Sequence, residues 1–241
     1  GGRDAYPIII KGLKRLEYRG YDSAGVAIGS SSGITVLKQK GKVADLEAYI
    51  ADKNTGGQIG IGHTRWATHG VPNQVNSHPH NSGDGKLTLI HNGIIENYAS
   101  IRQALIEKGH VFESDTDTEV LVHLIEEIKN HEKVDLFSAV RIALNEVVGA
   151  YAIVVFEEGV TDEFIAARKG SPLIIGVGRN EYYVASDATP IIEYTNDVVY
   201  LQDGEVARLS SNNGLDIKTI SNKAITPYIE ELKLSLDTIE K

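Results

Sequence analysis

Between residues 150 and 209 six short apolar, β-branched runs follow one another with only turns between them: 150–156, 163–168, 173–177, 182–186, 198–201 and 206–209. A parallel strand pair needs a crossover of a dozen or more residues, usually a helix, and most of these gaps are too short to hold one. The sheets are therefore expected to be mainly antiparallel. A second hairpin is predicted near the start, where 24–28 and 34–37 flank the Ser30-Ser31-Ser32-Gly33 turn.

Helical spacing accounts for most of what remains. A first helix runs through Ile8, Ile9, Ile10, Leu13 and Leu16, capped by Asp4 or a neighbour, and a short one covers 43–50. Three more are predicted over 98–108, 117–130 and 135–147, the second capped by Thr116 or Asp115 with Glu119 placed for a capping box. Apolar residues over 225–236 also fall at helical spacing, ahead of a charged tail. Two hairpin-rich groups around a helical block imply an α+β chain, two sheets packed face to face with helices outside. One domain is expected for 241 residues, with a frayed linker at the end.

Charge and composition narrow the function. A net charge of −9 argues against nucleic acid or an anionic membrane as partner. No apolar run approaches a membrane span and the start has no signal-peptide pattern, so a cytoplasmic protein is expected. Cysteine is absent, which removes disulfides, thiolate metal sites and a cysteine nucleophile from these 241 residues. Methionine is absent too, even at position 1, so the sequence is expected to begin inside a longer or processed protein.

The densest chemistry lies in Gly62-His63-Thr64-Arg65-Trp66-Ala67-Thr68-His69-Gly70, entered from the alternating run 58–62. A strand that delivers such a cluster at its end can be building a site, with Arg65 as a planar fork for a carboxylate or phosphate. It can equally be an ordinary strand end, with Arg65 salt-bridged and Trp66 packed. Beyond it, 71–85 reads as a long irregular run, expected to act as a mobile lid.

Three further constellations carry groups fit for chemistry. His63, His69, His78, His80 and His91 are concentrated in one part of the chain, but none shows the i, i+4 spacing of a zinc helix, and no metal is expected. Asn92-Gly93, at the end of a strand over 87–91, pairs a side-chain amide with an unobstructed backbone N–H, as an oxyanion hole requires; the same dipeptide is also a hairpin turn signal. In Ser114-Asp115-Thr116-Asp117-Thr118-Glu119 the carboxylates suit a helix start, and one could hold a substrate ammonium. The Gly-rich 170–178 region lacks the Lys and helix of a phosphate loop, and no cofactor is expected.

The motifs 17–25, 62–70, 78–80, 91–97, 116–119, 168–173 and 185–190, in that order, resemble the class II glutamine amidotransferases over essentially the whole chain. Tyr21 and the Ala185-Ser186-Asp187-Ala188-Thr189-Pro190 run resemble the branch that makes glucosamine 6-phosphate from fructose 6-phosphate more than the phosphoribosyl-transferring branch. The resemblance implies a four-layer αββα N-terminal-nucleophile sandwich and L-glutamine as substrate. It implies Asn92 and Gly93 at the oxyanion and Arg19 beside the nucleophile. Arg65, Thr68, His69, Asp117 and Gly93 would bind glutamine, and Trp66 would gate the ammonia path. It also implies a C-terminal isomerase domain beyond the 225–241 linker, and a homodimer for the whole enzyme. The family nucleophile is an N-terminal Cys, and the chain as written, lacking it, is expected to be inactive. A non-catalytic glutamine-binding module, or the glutaminase domain of a phosphoribosyl-transferring relative, are the alternatives.

Overall fold

The structure is a computed structural model that describes residues 2–66 and 71–233. Helix α1 (Ala5–Leu16) leads through a single 3-10 turn at Glu17–Arg19 into the hairpin β1 (Ser23–Ser30) and β2 (Gly33–Lys40). Asp4 stands at the α1 N-cap without a side-chain cap bond. After α2 (Val43–Ile50), β3 (Ile59–Arg65) pairs antiparallel with β1, giving the order β2-β1-β3.

The alternation in β3 decides what each face meets. Ile59 and Ile61 enter the core between the sheets, while Gly60 and Gly62 turn to α1. A Cβ on Gly60 would stand 2.8 Å from Ile9, and one on Gly62 only 2.3 Å from it. The helix therefore lies almost on the strand's backbone, which only glycine permits. Strand β1, central in this sheet, is buried from Ser23 through Gly29.

The opposing layer is a seven-stranded sheet. It contains β4 (His80–Asn81), β5 (Leu87–Ile95), β6 (Gly149–Glu157), β7 (Glu163–Lys169), β11 (Glu205–Ser210), β12 (Gly214–Thr219) and β13 (Ala224–Ile225), in the order β13-β12-β11-β7-β6-β5-β4. Its outer face carries α3 (Tyr98–Glu107), α4 (Asp117–Glu132) and α5 (Leu136–Asn145), packed through Leu121, Ile125, Phe137 and Val140 onto Leu89, Ile153 and Ile165. A third sheet is made of β8 (Ile174–Gly178), β9 (Glu181–Ala185), β10 (Asp197–Tyr200) and β14 (Glu230–Glu231), ordered β14-β10-β8-β9. One apolar core joins all three sheets, with Ile61, Phe156, Ile175 and Leu209 among its members. The strand pairs are antiparallel, as the short gaps require.

Several expectations change. The second layer is divided between two smaller sheets rather than being continuous. Strand β3 runs on through Arg65, and β5 continues past His91 to Ile95, so Asn92-Gly93 sits inside a strand and is no hairpin turn. In the described part of 225–236 there is no helix. Thr226 precedes Pro227, which disfavours helical backbone, and the edges of two sheets take up β13 and β14 instead. Thr116 does cap α4, accepting from Glu119 N at 3.2 Å. The Glu119 carboxylate, however, reaches past the cap to the backbone N–H groups of Glu113 and Ser114.

Candidate active site

Where β3 and β5 come together with the start of α4, a cleft of about 480 Å³ opens, lined by Arg19, Arg65, Trp66, Asn92, Gly93 and Asp117. Six residues drawn from four separate stretches of sequence thus share one cavity. Thr68 and His69 lie outside the described residues.

Arg65 closes β3 opposite Ser23 and is only 3% exposed. Its Nη1 is 4.0 Å from Asp22 Oδ1. Burial works against its charge, and Asp22 and Asp117 work for it. Asp117, the first residue of α4, is likewise buried, and its Oδ2 accepts from the Ile95 N–H at 2.8 Å. One carboxylate oxygen is thus bound to the end of β5, which anchors the helix start against the strand.

Asn92 is oriented by a neighbour that sequence reasoning did not assign to it. His63 Nε2 lies 2.6 Å from Asn92 Oδ1, so the amide oxygen is engaged and the NH₂ group is what the side chain has to offer a ligand. Gly93 has φ of +132°, and a Cβ there would lie 2.1 Å from the Ala150 carbonyl oxygen. No other residue fits. On either side of it, the His91 N–H is 3.4 Å from His78 Nδ1 and the Ile95 N–H is held by Asp117.

The histidines form the floor. His63 stacks on His78 with centroids 4.2 Å apart, and His78 meets His80 edge-on. His91 Nδ1 lies 3.1 Å from Thr118 Oγ1, and His80 Nε2 3.2 Å from Thr116 Oγ1. Burial holds His63 down to about 4 and pushes His78 and His80 well below the usual histidine range. The contacts of His91, His78 and His80 with Thr118 and Thr116 fasten the first turn of α4 to β5 and to the 76–82 segment. That segment is therefore no open lid: Asn76, Ser77, His78 and His80 are buried, and Asn76 Oδ1 accepts from Asp115 N at 3.0 Å. Its polar composition suggested mobility, but the polar groups are bonded inward.

At the rim, Arg19 donates from Nη1 to Ser186 Oγ and from Nη2 to Asp187 Oδ2, both at 2.7 Å. Tyr18 also donates to Asp187 Oδ2. These contacts, missed at the level of sequence, give the Ser186-Asp187 pair a role as the support of Arg19. Trp66 is 69% exposed and lies over Gly20, where a Cβ would be 2.8 Å from its ring.

Residues 30–224 match the family described as a glutamine amidotransferase domain. The chain belongs to that family. This amidotransferase domain is 56% identical, over its whole length, to the glutamine–fructose-6-phosphate aminotransferase (isomerizing) of Bacteroides thetaiotaomicron, of which it covers 39%. It is 52% identical to the enzyme of the same name from Chlorobaculum tepidum, covering 40% of it. The chain thus spans about two fifths of the length of these relatives. Among solved structures, 91% of the domain superposes on 48% of the glutamine phosphoribosylpyrophosphate amidotransferase from B. subtilis, complexed with ADP and GMP, with a TM-score of 0.77 and 27% identity. A structure described as the allosteric regulatory enzyme of purine biosynthesis gives a TM-score of 0.78 at 28% identity. The fold is the αββα sandwich of the N-terminal-nucleophile amidotransferases. No helix among the described residues is long and apolar enough to cross a membrane.

Proposed function

We propose that the domain clasps L-glutamine in the cleft and polarises its side-chain amide for hydrolysis. Arg65 takes the α-carboxylate through its guanidinium fork, and the Asp117 oxygen not committed to Ile95 takes the α-ammonium. Thr68 and His69 assist Arg65. The carboxamide oxygen then rests between the Asn92 NH₂ and the Gly93 N–H. As a thiolate adds to the carboxamide carbon, the π electrons move onto that oxygen, and these two donors stabilise the charge. The oxyanion then collapses, the C–N bond breaks and ammonia departs with the proton given up by the thiol; water cleaves the thioester, releasing glutamate and regenerating the thiol. The 241 residues contain no cysteine, so they supply the clasp and the oxyanion donors but not the thiol. Arg19, held by Ser186 and Asp187 at the rim, places a positive charge beside the attacking sulfur, and Trp66 borders the path by which ammonia departs.

In this reading the ammonia serves an isomerase half that converts fructose 6-phosphate to glucosamine 6-phosphate, as the names of the relatives suggest, in a cytoplasmic homodimer. The single observation that carries the proposal is the convergence of Arg65, Asp117, Asn92 and Gly93 on one cleft. Calorimetry of the chain with L-glutamine, and ammonia release by the chain preceded by a Cys-Gly-Ile strand, test it together. Binding without turnover in the extended protein would favour a glutamine-sensing module; absence of binding in both would refute the clasp.

A further inference from the structure

Outside the lining of the cleft, three ligand-type side chains from two segments converge. His110 follows α3, while His123 and Glu126 lie one turn apart on α4, and one nitrogen or oxygen from each falls within 4.8 Å of the others. His110 Nδ1 is 3.0 Å from His123 Nδ1 and 3.6 Å from Glu126 Oε2. Ligands held at zinc distances around a tetrahedral centre are separated by about 3.3 Å, and the two spacings from His110 lie on either side of that value.

Proton accounting gives the cluster its direction. The outer nitrogen of His110, Nε2, faces Glu127 Oε2 at 3.1 Å, so it carries the hydrogen. His123 Nε2 faces Glu119 Oε1 at 3.7 Å, a carboxylate whose oxygens already accept from the N–H groups of Glu113 and Ser114. The inner nitrogens, Nδ1 of both rings, face each other at hydrogen-bond distance. Glu126 adds a third acceptor, fixed in place by the Gly83 N–H at 3.0 Å and the Asp84 N–H at 2.8 Å. Three lone-pair donors facing one point need a cation there, either a proton or a metal ion. The carboxylate bonded behind His110 is the kind of contact that orients an imidazole on a metal. His123 and Glu126 are 2% and 7% exposed, while His110 is more open and gives an ion a way in.

The geometry points to a second site, separate from the glutamine cleft: a zinc-class transition-metal site formed by His110, His123 and Glu126. Two imidazoles and one carboxylate suit Zn²⁺ over Mg²⁺ or Ca²⁺, which prefer all-oxygen shells. A bound ion would clamp the α3–α4 connection and the 83–84 turn onto α4. Gly83 belongs to the site, since a Cβ there would lie 3.1 Å from Glu126 Oε2 and 3.6 Å from His123 Nδ1.

Titration of the chelator-treated chain with ZnCl₂ is expected to show one equivalent bound, with a rise in Tm that MgCl₂ does not produce. His110→Ala, at the most accessible ligand, should weaken zinc binding by at least about tenfold. Glu127→Gln, which removes the carboxylate behind His110 together with its exposed ion pair to Lys108, should weaken it roughly 10- to 100-fold while preserving the fold. His131→Ala, at an exposed histidine on the same helix, should change nothing. No zinc binding by the chain, binding unchanged in both His110→Ala and Glu127→Gln, or binding lost only in His131→Ala would each overturn the assignment.

Discussion

The stacked histidines beneath the cleft make the domain sensitive to mild acid, and the size of the effect follows from one of them. His63 borders the cleft, but its Nδ1 is shut away from solvent, and burial lowers its pKa to about 4 from the ordinary 6.5. A histidine whose folded pKa lies below its unfolded one lends stability above the unfolded value. That stability is lost as pH falls from about 6.5 toward 4. With those two values, His63 alone accounts for about 2 kcal/mol lost between pH 7 and pH 5. His78 and His80 are shifted in the same direction by burial first, then by neighbouring histidines for His78 and by Lys38 and Arg65 for His80. Glu126 and Glu163, raised mainly by burial, act the opposite way and reduce the slope. Against a total stability of roughly 5–15 kcal/mol for a domain, the loss should be visible as a fall in urea midpoint at each step from pH 7 to 6 to 5. His63→Asn should reduce the pH slope by at most about 1.4 kcal/mol per pH unit, the contribution of one proton. A midpoint that stays flat from pH 7 to 5 would refute the assignment of these rings as buried and neutral.

Three substitutions probe the framework. Gly93→Ala puts a methyl against the Ala150 carbonyl at a positive φ and should cost about 3 kcal/mol or more, read by chemical denaturation. Asp117→Asn keeps an acceptor for the Ile95 N–H but loses the charge, so calorimetry should show weaker glutamine binding with little change in melting temperature. Asp117→Ala leaves that buried N–H without its acceptor and should lose about 1–3 kcal/mol of stability as well. Gly62→Ala, directed at Ile9, should cost about 1–3 kcal/mol by forcing α1 off β3, measured by the same denaturation assay.

How much was legible depended on the range of the interaction. The β1–β2 hairpin, α2 and the strands β6 to β11 follow from local pattern, because burial of alternate residues and turn chemistry act within a few positions. Strand β12 was missed although Asn213-Gly214 stands at its turn, where a hairpin signal was available. The end of the described chain was misread because two sheet edges, far away in sequence, outweigh local helical spacing. In the candidate site, Arg65, Asn92, Gly93 and Asp117 were identifiable by residue type and by family resemblance. The supports of Asn92 (His63) and of Arg19 (Ser186 and Asp187) were not, since each acts on a residue at least 29 positions away.

Residue order alone therefore determined antiparallel pairing, the helices α1 to α5 and the residues proposed to bind an amino acid, because short gaps, apolar periodicity and functional-group chemistry are local properties. Tertiary structure alone decided that β3, β5 and α4 surround one cleft and that His63, His78 and His91 line it. It also turned His110 toward His123 and Glu126. Those outcomes depend on which distant surfaces exclude water together, and no stretch of sequence carries that information by itself.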